Sequence, residues 1–196
     1  MASIDVCATK SLTISNQQIK IDNNYITIGN CNCCLQKYIS YLYFCLPPIP
    51  QNSKIIIAKL VLFKANNFYD PNCNLGSINK DFRVFPLLDY FSSKTEYFCR
   101  PAYEFSISKQ VALKGTISIE IDITEIVSKW INGYLINKGI VLKNAKFSSE
   151  KFCYGSASIE DNTLVPLLKI FFQDCSLPII DLKCVYKVVP SINNES

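Results

Sequence analysis

The chain has 196 residues, a length that fits one domain with a sizeable core or one domain plus an arm. It is 49% hydrophobic, 12% aromatic and 18% charged, against roughly 25% charged for an average globular protein, which excludes disorder away from the ends and implies an apolar surface that meets partners. The net charge of +4 comes from 20 scattered Lys and Arg, not from the basic stripe that nucleic-acid binding needs, and the absence of His removes the usual general base, pH switch and metal ligand.

Residues 1–10 read as an N-terminal arm. Short β-like pieces follow one another at Ile4–Val6, Ser11–Ile14, Gln18–Ile21 and Tyr25–Ile28, punctuated by Asn23-Asn24 and Gly29-Asn30. Cys31-Asn32-Cys33-Cys34 falls in a loop. From Tyr38 to Lys64 the period is two, so two strands are predicted. In the first, Ser40, Leu42, Phe44 and Leu46 share one face and Tyr41, Tyr43 and Cys45 the other. In the second, Ala58, Leu60 and Leu62 alternate with Lys59, Val61 and Phe63. Pro47, Pro48 and Pro50 end the first strand, and Gln51-Asn52-Ser53 makes a turn that reads as joining the two into a pair. Both faces are apolar, so the pair is either central or covered on its outer side.

Residues 65–81 are polar and turn-rich, a long loop. Phe82–Leu87 is a short strand, with Pro86 marking an edge or an end. Residues 88–103 are irregular and carry Cys99 and Pro101; Glu104–Ile107 reads as a strand. Ile117, Ile119, Ile121 and Ile123 then alternate with polar residues, and the period changes. Ile123, Ile126, Val127 and Trp130 fall on one helical face, so one short helix is predicted near 123–132, with Asp122 and Glu125 as reciprocal caps and Gly133 as its end. On that face Trp130 is a core plug. Gly139–Lys143 is a strand, 144–162 a loop, and Val165–Phe172 a strand with Leu168, Ile170 and Phe172 on one face. In the tail, Ile180, Leu182, Cys184, Tyr186 and Val188 alternate with Asp181, Lys183, Val185 and Lys187, as in one more strand. That strand lies on its own domain or completes a neighbour's sheet, and a head-to-tail contact of the second kind propagates. The fold class is all-β, a sandwich or jelly roll with one short helix: the domain spans 11–173 and the tail 174–196.

The order Tyr41-Leu42-Tyr43-Phe44-Cys45-Leu46, Ile49-Pro50, Ala58-Lys59-Leu60-Val61-Leu62 resembles the opening hairpin of DNRLRE domains. Two later blocks resemble the same family: Ile121-Asp122-Ile123-Thr124 with Val127, Trp130, Gly133 and Lys138 to Lys143, and Ser158-Ile159-Glu160 with Pro166 to Ile170. The resemblance covers about 11–172. It implies a β-sandwich related to carbohydrate-binding modules, typical of secreted or surface proteins, with no catalytic set to carry over. The chain departs from the family at Cys45, where an aspartate is usual, in its cysteine content, and in its tail. Those departures favour cross-linked assembly over sugar binding. Cysteine-rich members without a signal peptide look like spore-surface proteins of Clostridium-type bacteria, and the wealth of Ile, Asn and Lys fits an AT-rich genome.

Ten cysteines imply an oxidising final location. Yet MASIDVCATKSLTIS has neither the basic nor the apolar region of a secretory signal, and no run of about 18 apolar residues crosses a membrane. Oxidation after release, as when a mother cell lyses around a spore, reconciles the two; so do reduced thiols holding zinc, or a signal already removed. Cys7, Cys31, Cys33, Cys34, Cys175 and Cys184 are candidates for disulfides between subunits. Cys45, Cys73, Cys99 and Cys153 are candidates for intramolecular or buried positions. Should the chain bind sugar instead, Tyr41, Tyr43 and Tyr69 are the leading aromatic platforms, with Tyr38, Phe68 and Tyr103 behind them. Calcium through Asp70 or Asp161 lacks an EF-hand pattern, and no Gly-x-Ser-x-Gly or phosphate loop supports an enzyme.

The expectation is a non-enzymatic structural protein without cofactors. It assembles with itself, and with other surface proteins, into a disulfide-stabilised extracellular filament or lattice on a bacterial spore: coat, exosporium or appendage. The alternative is a carbohydrate-binding module on the cell surface.

Overall fold

The computed structural model describes residues 2–17, 21–31, 35–50, 53–65, 81–112, 117–144 and 151–173. Ten strands run through them: β1 (Ala2–Ser15), β2 (Tyr25–Cys31), β3 (Gln36–Phe44), β4 (Lys54–Phe63), β5 (Asp81–Pro86), β6 (Lys109–Ala112), β7 (Ser118–Asp122), β8 (Ile140–Asn144), β9 (Lys151–Gly155) and β10 (Leu167–Gln173). One helix, α1 (Thr124–Ile131), and a 3₁₀ turn at Asn162–Leu164 complete the described elements. Every strand pair is antiparallel. The order β6-β5-β8-β3-β1-β10-β4-β7, with β2 and β9 added beside β3, makes a large sheet that is nearly a barrel. The all-β fold with a single short helix is as the sequence predicts.

The curl comes from β1. Its first half, Ala2 to Cys7, pairs with β10, and its second half, Ala8 to Ser15, pairs with β3. A bulge between Ala8 and Lys10 lets one strand serve both halves of the sheet, because a bulge bends its strand and sharpens the twist. The segment expected as an N-terminal arm is therefore an integral strand: Val6 and Ala8 are buried and Ile4 packs on the core.

β3 and β4 do not pair as a hairpin, contrary to the expectation. They lie in opposite halves, β3 against β1, β2 and β8, and β4 against β10 and β7. The physical reason lies in the link, where Pro47, Pro48 and Pro50 have no N–H for a ladder. Ser53 N–H donates to the Pro50 carbonyl at 2.9 Å and closes the corner into β4. The predicted faces are right nonetheless. Leu42 and Phe44 meet Ala58, Leu60 and Leu62 across one core, joined by Leu168 and Ile170 of β10 and by Phe82 and Val84 of β5. Ser40 shares this inner face and is fully buried, and its hydroxyl donates to the Thr27 carbonyl at 2.6 Å.

The helix begins one residue later than expected and is capped differently. Asp122 Oδ1 accepts from Thr124 N–H at 2.9 Å and from the Thr124 hydroxyl at 2.6 Å, while Glu125 pairs with Lys129 at 3.4 Å. The reciprocal Asp122–Glu125 cap does not form, because both residues have nearer partners. Ile126, Val127 and Trp130 are buried in the core, and Gly133 follows the helix with φ +74°. Glu104–Ile107 is not a strand; pairing starts later, in β6, opposite β5. Nor is 144–162 all loop, because β9 pairs with β2 from Tyr25 to Gly29 and brings Phe152 and Tyr154 to the core.

Candidate assembly surface

The outer side of β3 is apolar, and so are its neighbours. Leu12, Tyr41, Val141 and Phe85 stand side by side across β1, β3, β8 and β5. Such a row must be covered, and the segment 88–108 covers it. Leu88 N–H donates to the Ala102 carbonyl at 2.8 Å and Glu104 N–H to the Pro86 carbonyl at 3.0 Å, so the roof is pinned to the end of β5. Ala102 N–H reaches Asp89 Oδ2 at 3.2 Å. Phe91, Tyr97 and Tyr103 pack down onto Ile14, Ile39, Tyr41, Phe85, Leu87 and Val141, a second core separate from the first. Phe91 stacks on Tyr41 with ring centroids 5.4 Å apart.

Cations stitch the roof. Lys143 Nζ donates to the Tyr103 hydroxyl at 2.5 Å and lies 4.7 Å from that ring's centroid and 5.7 Å from that of Phe105. The Arg100 guanidinium sits 4.8 Å over Tyr97. Lys138 Nζ donates to the Leu88 carbonyl at 2.6 Å and lies 5.5 Å from the Tyr90 ring. Each contact shields an aromatic face while keeping a charge in water, worth about 0.5–1 kcal/mol at such exposed sites.

The upper side of the roof is unusual. Tyr90, Phe98 and Phe105 are 64%, 79% and 67% exposed. Cys99, next to Phe98 in the chain, is exposed and unbridged. Tyr134 and Ile136, in the segment that Lys138 ties to the roof, are also exposed. Apart from Cys99, these residues were not singled out from the sequence, although the signal was there: six aromatics between 90 and 105 in a stretch with no strand period.

Cys7 and Cys45 are exposed, unbridged thiols as well. Exposed Cys45 corrects the expectation of a buried position: the outward face of β3 continues past the strand end at Phe44, beyond the reach of the roof. Cys99 is likewise a surface thiol rather than a buried one. Cys153 is an internal cysteine. It is half-buried, its Sγ lies 3.7 Å from the Thr27 hydroxyl, and burial pushes its thiol up, which suppresses the reactive thiolate. Cys31 ends β2, while Cys33, Cys34, Cys73, Cys175 and Cys184 lie outside the described residues.

Of the aromatic platforms, Tyr41 is corrected. It is 1% exposed beneath Phe91, and burial pushes its phenol up to about 12, so it is core and not a ligand surface. Tyr43 is half-buried with Lys10 Nζ at 6.0 Å. Tyr38 is half-buried, with Lys151 over its ring and its hydroxyl on Gln36. Tyr103 is engaged by Lys143, and Phe68 and Tyr69 lie outside the described residues.

Carboxylates serve local structure. Hydrogen bonds from Thr124 hold Asp122 below its usual range, and those from Thr163 do the same for Asp161. A hydrogen bond from Lys59 depresses Glu120. A cavity of about 340 Å³ lies where Lys109 of β6 faces Asp122 and Thr124. Among the described residues, no group of three or more Cys, Asp or Glu gathers as a metal site would require, and no helix is long and apolar enough to cross a membrane. No protein-family model matches the chain, and no curated protein matches it.

Proposed function

We propose that this protein is a non-enzymatic structural subunit that self-associates into a disulfide-stabilised extracellular filament or lattice, on the surface of a bacterial spore. The observation that carries the reading is Cys99. It is a surface thiol beside Phe98 in a segment that also exposes Tyr90 and Phe105, over an inner side that packs on the second core. Exposed aromatics supply contact area when a second copy docks, and a thiol at such a contact makes it covalent once the surroundings are oxidising. Cysteine content and the resemblance to surface β-sandwich modules support the same location.

The test compares purified protein with and without reductant, by negative-stain electron microscopy and non-reducing gels. Ordered polymers with a covalent ladder that collapses on reduction are expected, as is a ladder shortened by Cys99→Ser. A monodisperse species under both conditions overturns the reading. The second reading is a carbohydrate-binding module, favoured by exposed Tyr90 beside Lys138 and exposed Phe98 against Tyr97, over which Arg100 sits, since sugars stack on aromatic faces. Binding of a monomer to a glycan array would select it.

A further inference from the structure

The register of β1 on β3 brings two of the exposed thiols together. Ala8 stands opposite Phe44, and both side chains point inward, at 5% and 0% exposure. Next in the chain beyond that pair are Cys7 of β1 and Cys45, the residue that directly follows the end of β3. Cys7 points outward by the alternation along β1, and both thiols are exposed. Ala8 and Phe44 close the β1–β3 ladder, where opposed Cα atoms are about 4.5 or 5.5 Å apart, so the residues adjoining them set out from within the span a disulfide bridges. The position matters because β1 leaves β3 for β10 at this point. We infer that Cys7 and Cys45 form an intramolecular disulfide that clasps β1 where it passes between the two halves of the sheet.

This inference deepens the assembly reading by assigning Cys7 within the chain and leaving Cys99 as the described surface thiol that faces a neighbour. The chemistry needs a small-molecule disulfide such as oxidised glutathione. One protein thiolate attacks its S–S bond and releases a thiol; the second protein thiolate displaces the other half. Two protein S–H bonds are lost, one protein S–S bond forms, and the reagent leaves as two thiols carrying the two protons.

Trypsin makes the test direct, because Met1–Lys10 and Tyr38–Lys54 each contain a single cysteine. Full-length reduced protein, mixed in equal amounts with ¹⁵N-labelled protein, is oxidised with oxidised glutathione, alkylated, digested and analysed by mass spectrometry. The expected product links the two peptides in all-light and all-heavy forms only. Mixed-isotope links, or separate adducts on Cys7 and Cys45, overturn the inference. In oxidised Cys7→Ser protein, the summed alkylated and glutathionylated forms of Cys45 should rise at least tenfold while those of Cys99 stay unchanged; an unchanged Cys45 also overturns it. The two readings fail separately. A Cys7–Cys45 link without a polymer ladder removes assembly alone, and a ladder that persists in the Cys7→Ser/Cys45→Ser double variant without any wild-type link removes the clasp alone.

Discussion

Across β1, β3, β8 and β5 the outer face of the sheet presents Leu12, Tyr41, Val141 and Phe85; across β1, β10, β4 and β7 it presents Asp5, Lys169, Lys59 and Asp122. Both rows belong to one sheet and lie over one inner core, and β1 contributes to each. The first row is dry under the 88–108 roof. The second is wet, with acids on the flanking strands β1 and β7 and lysines opposed on β10 and β4, and Lys59 Nζ reaches Glu120 of β7 at 2.8 Å. A strand with apolar residues on both faces thus costs the chain a covering segment, whereas a strand with one polar face needs none. The roof covers the row but leaves its own Tyr90, Phe98 and Phe105 exposed.

The comparison breaks first at Tyr41. Tyr41→Ala should cost about 3–5 kcal/mol, the range for truncating a buried aromatic, measured by denaturant unfolding, with the 88–108 segment becoming protease-sensitive. A loss under about 1 kcal/mol would mean that the roof does not pack. The same residue sets an alkaline limit. Its phenol is raised to about 12 in the folded chain from an ordinary 10, so above pH 10 the unfolded state releases its proton first. Stability is intact below pH 10 and falls as pH rises towards 12, by up to about 3 kcal/mol, since each unit is worth about 1.4. Tyr41→Phe should flatten that fall; an unchanged alkaline profile would show the ring to be solvated. Third is Gly139, at φ +97°, where an added Cβ would run into the Leu42 carbonyl. Gly139→Ala should lower stability by about 1–3 kcal/mol, read as a lowered melting temperature, because it disturbs β3 and β8 together.

The faces of β3, β4, β7 and β10 were legible because a period of two survives in Leu42 and Phe44, in Leu60 and Leu62, in Ile119 and Ile121, and in Leu168 and Ile170. The helix was legible from the shift to Ile123, Ile126, Val127 and Trp130. Partnership was not. Alternation shows which side of a strand is buried but not which strand lies beside it, so β3 and β4 read as a hairpin although they face each other across the core. β1 was read as separate pieces because its bulge at Ala8 to Lys10 shifts the alternation in mid-strand. Apolar residues on both faces of β3 did announce a cover. Its identity was hidden, because the roof holds Phe91, Phe98 and Phe105 through irregular turns that carry no period.

The wet row supplies the smallest effect and the sharpest control. The hydrogen bond from Lys59 depresses Glu120, so its stabilisation is present above the ordinary glutamate range and is lost as pH falls through the lower folded value. Both side chains are well exposed, at 37% and 49%, so water screens the pair and its coupling should be only about 0.5 kcal/mol. A double-mutant cycle with Lys59→Met and Glu120→Gln at pH 7 measures it, and the coupling should weaken as pH falls below the ordinary glutamate range and shrink in high salt. The protein concentration carries the argument further. If the coupling stays small when the protein is dilute but grows well above 1 kcal/mol under assembling conditions, the charged row is being dried by a neighbouring copy. Assembly would then use this face, and the roof's aromatics would need another explanation. A coupling that stays near 0.5 kcal/mol in both states keeps the charged row in water and leaves the roof as the face that meets a partner.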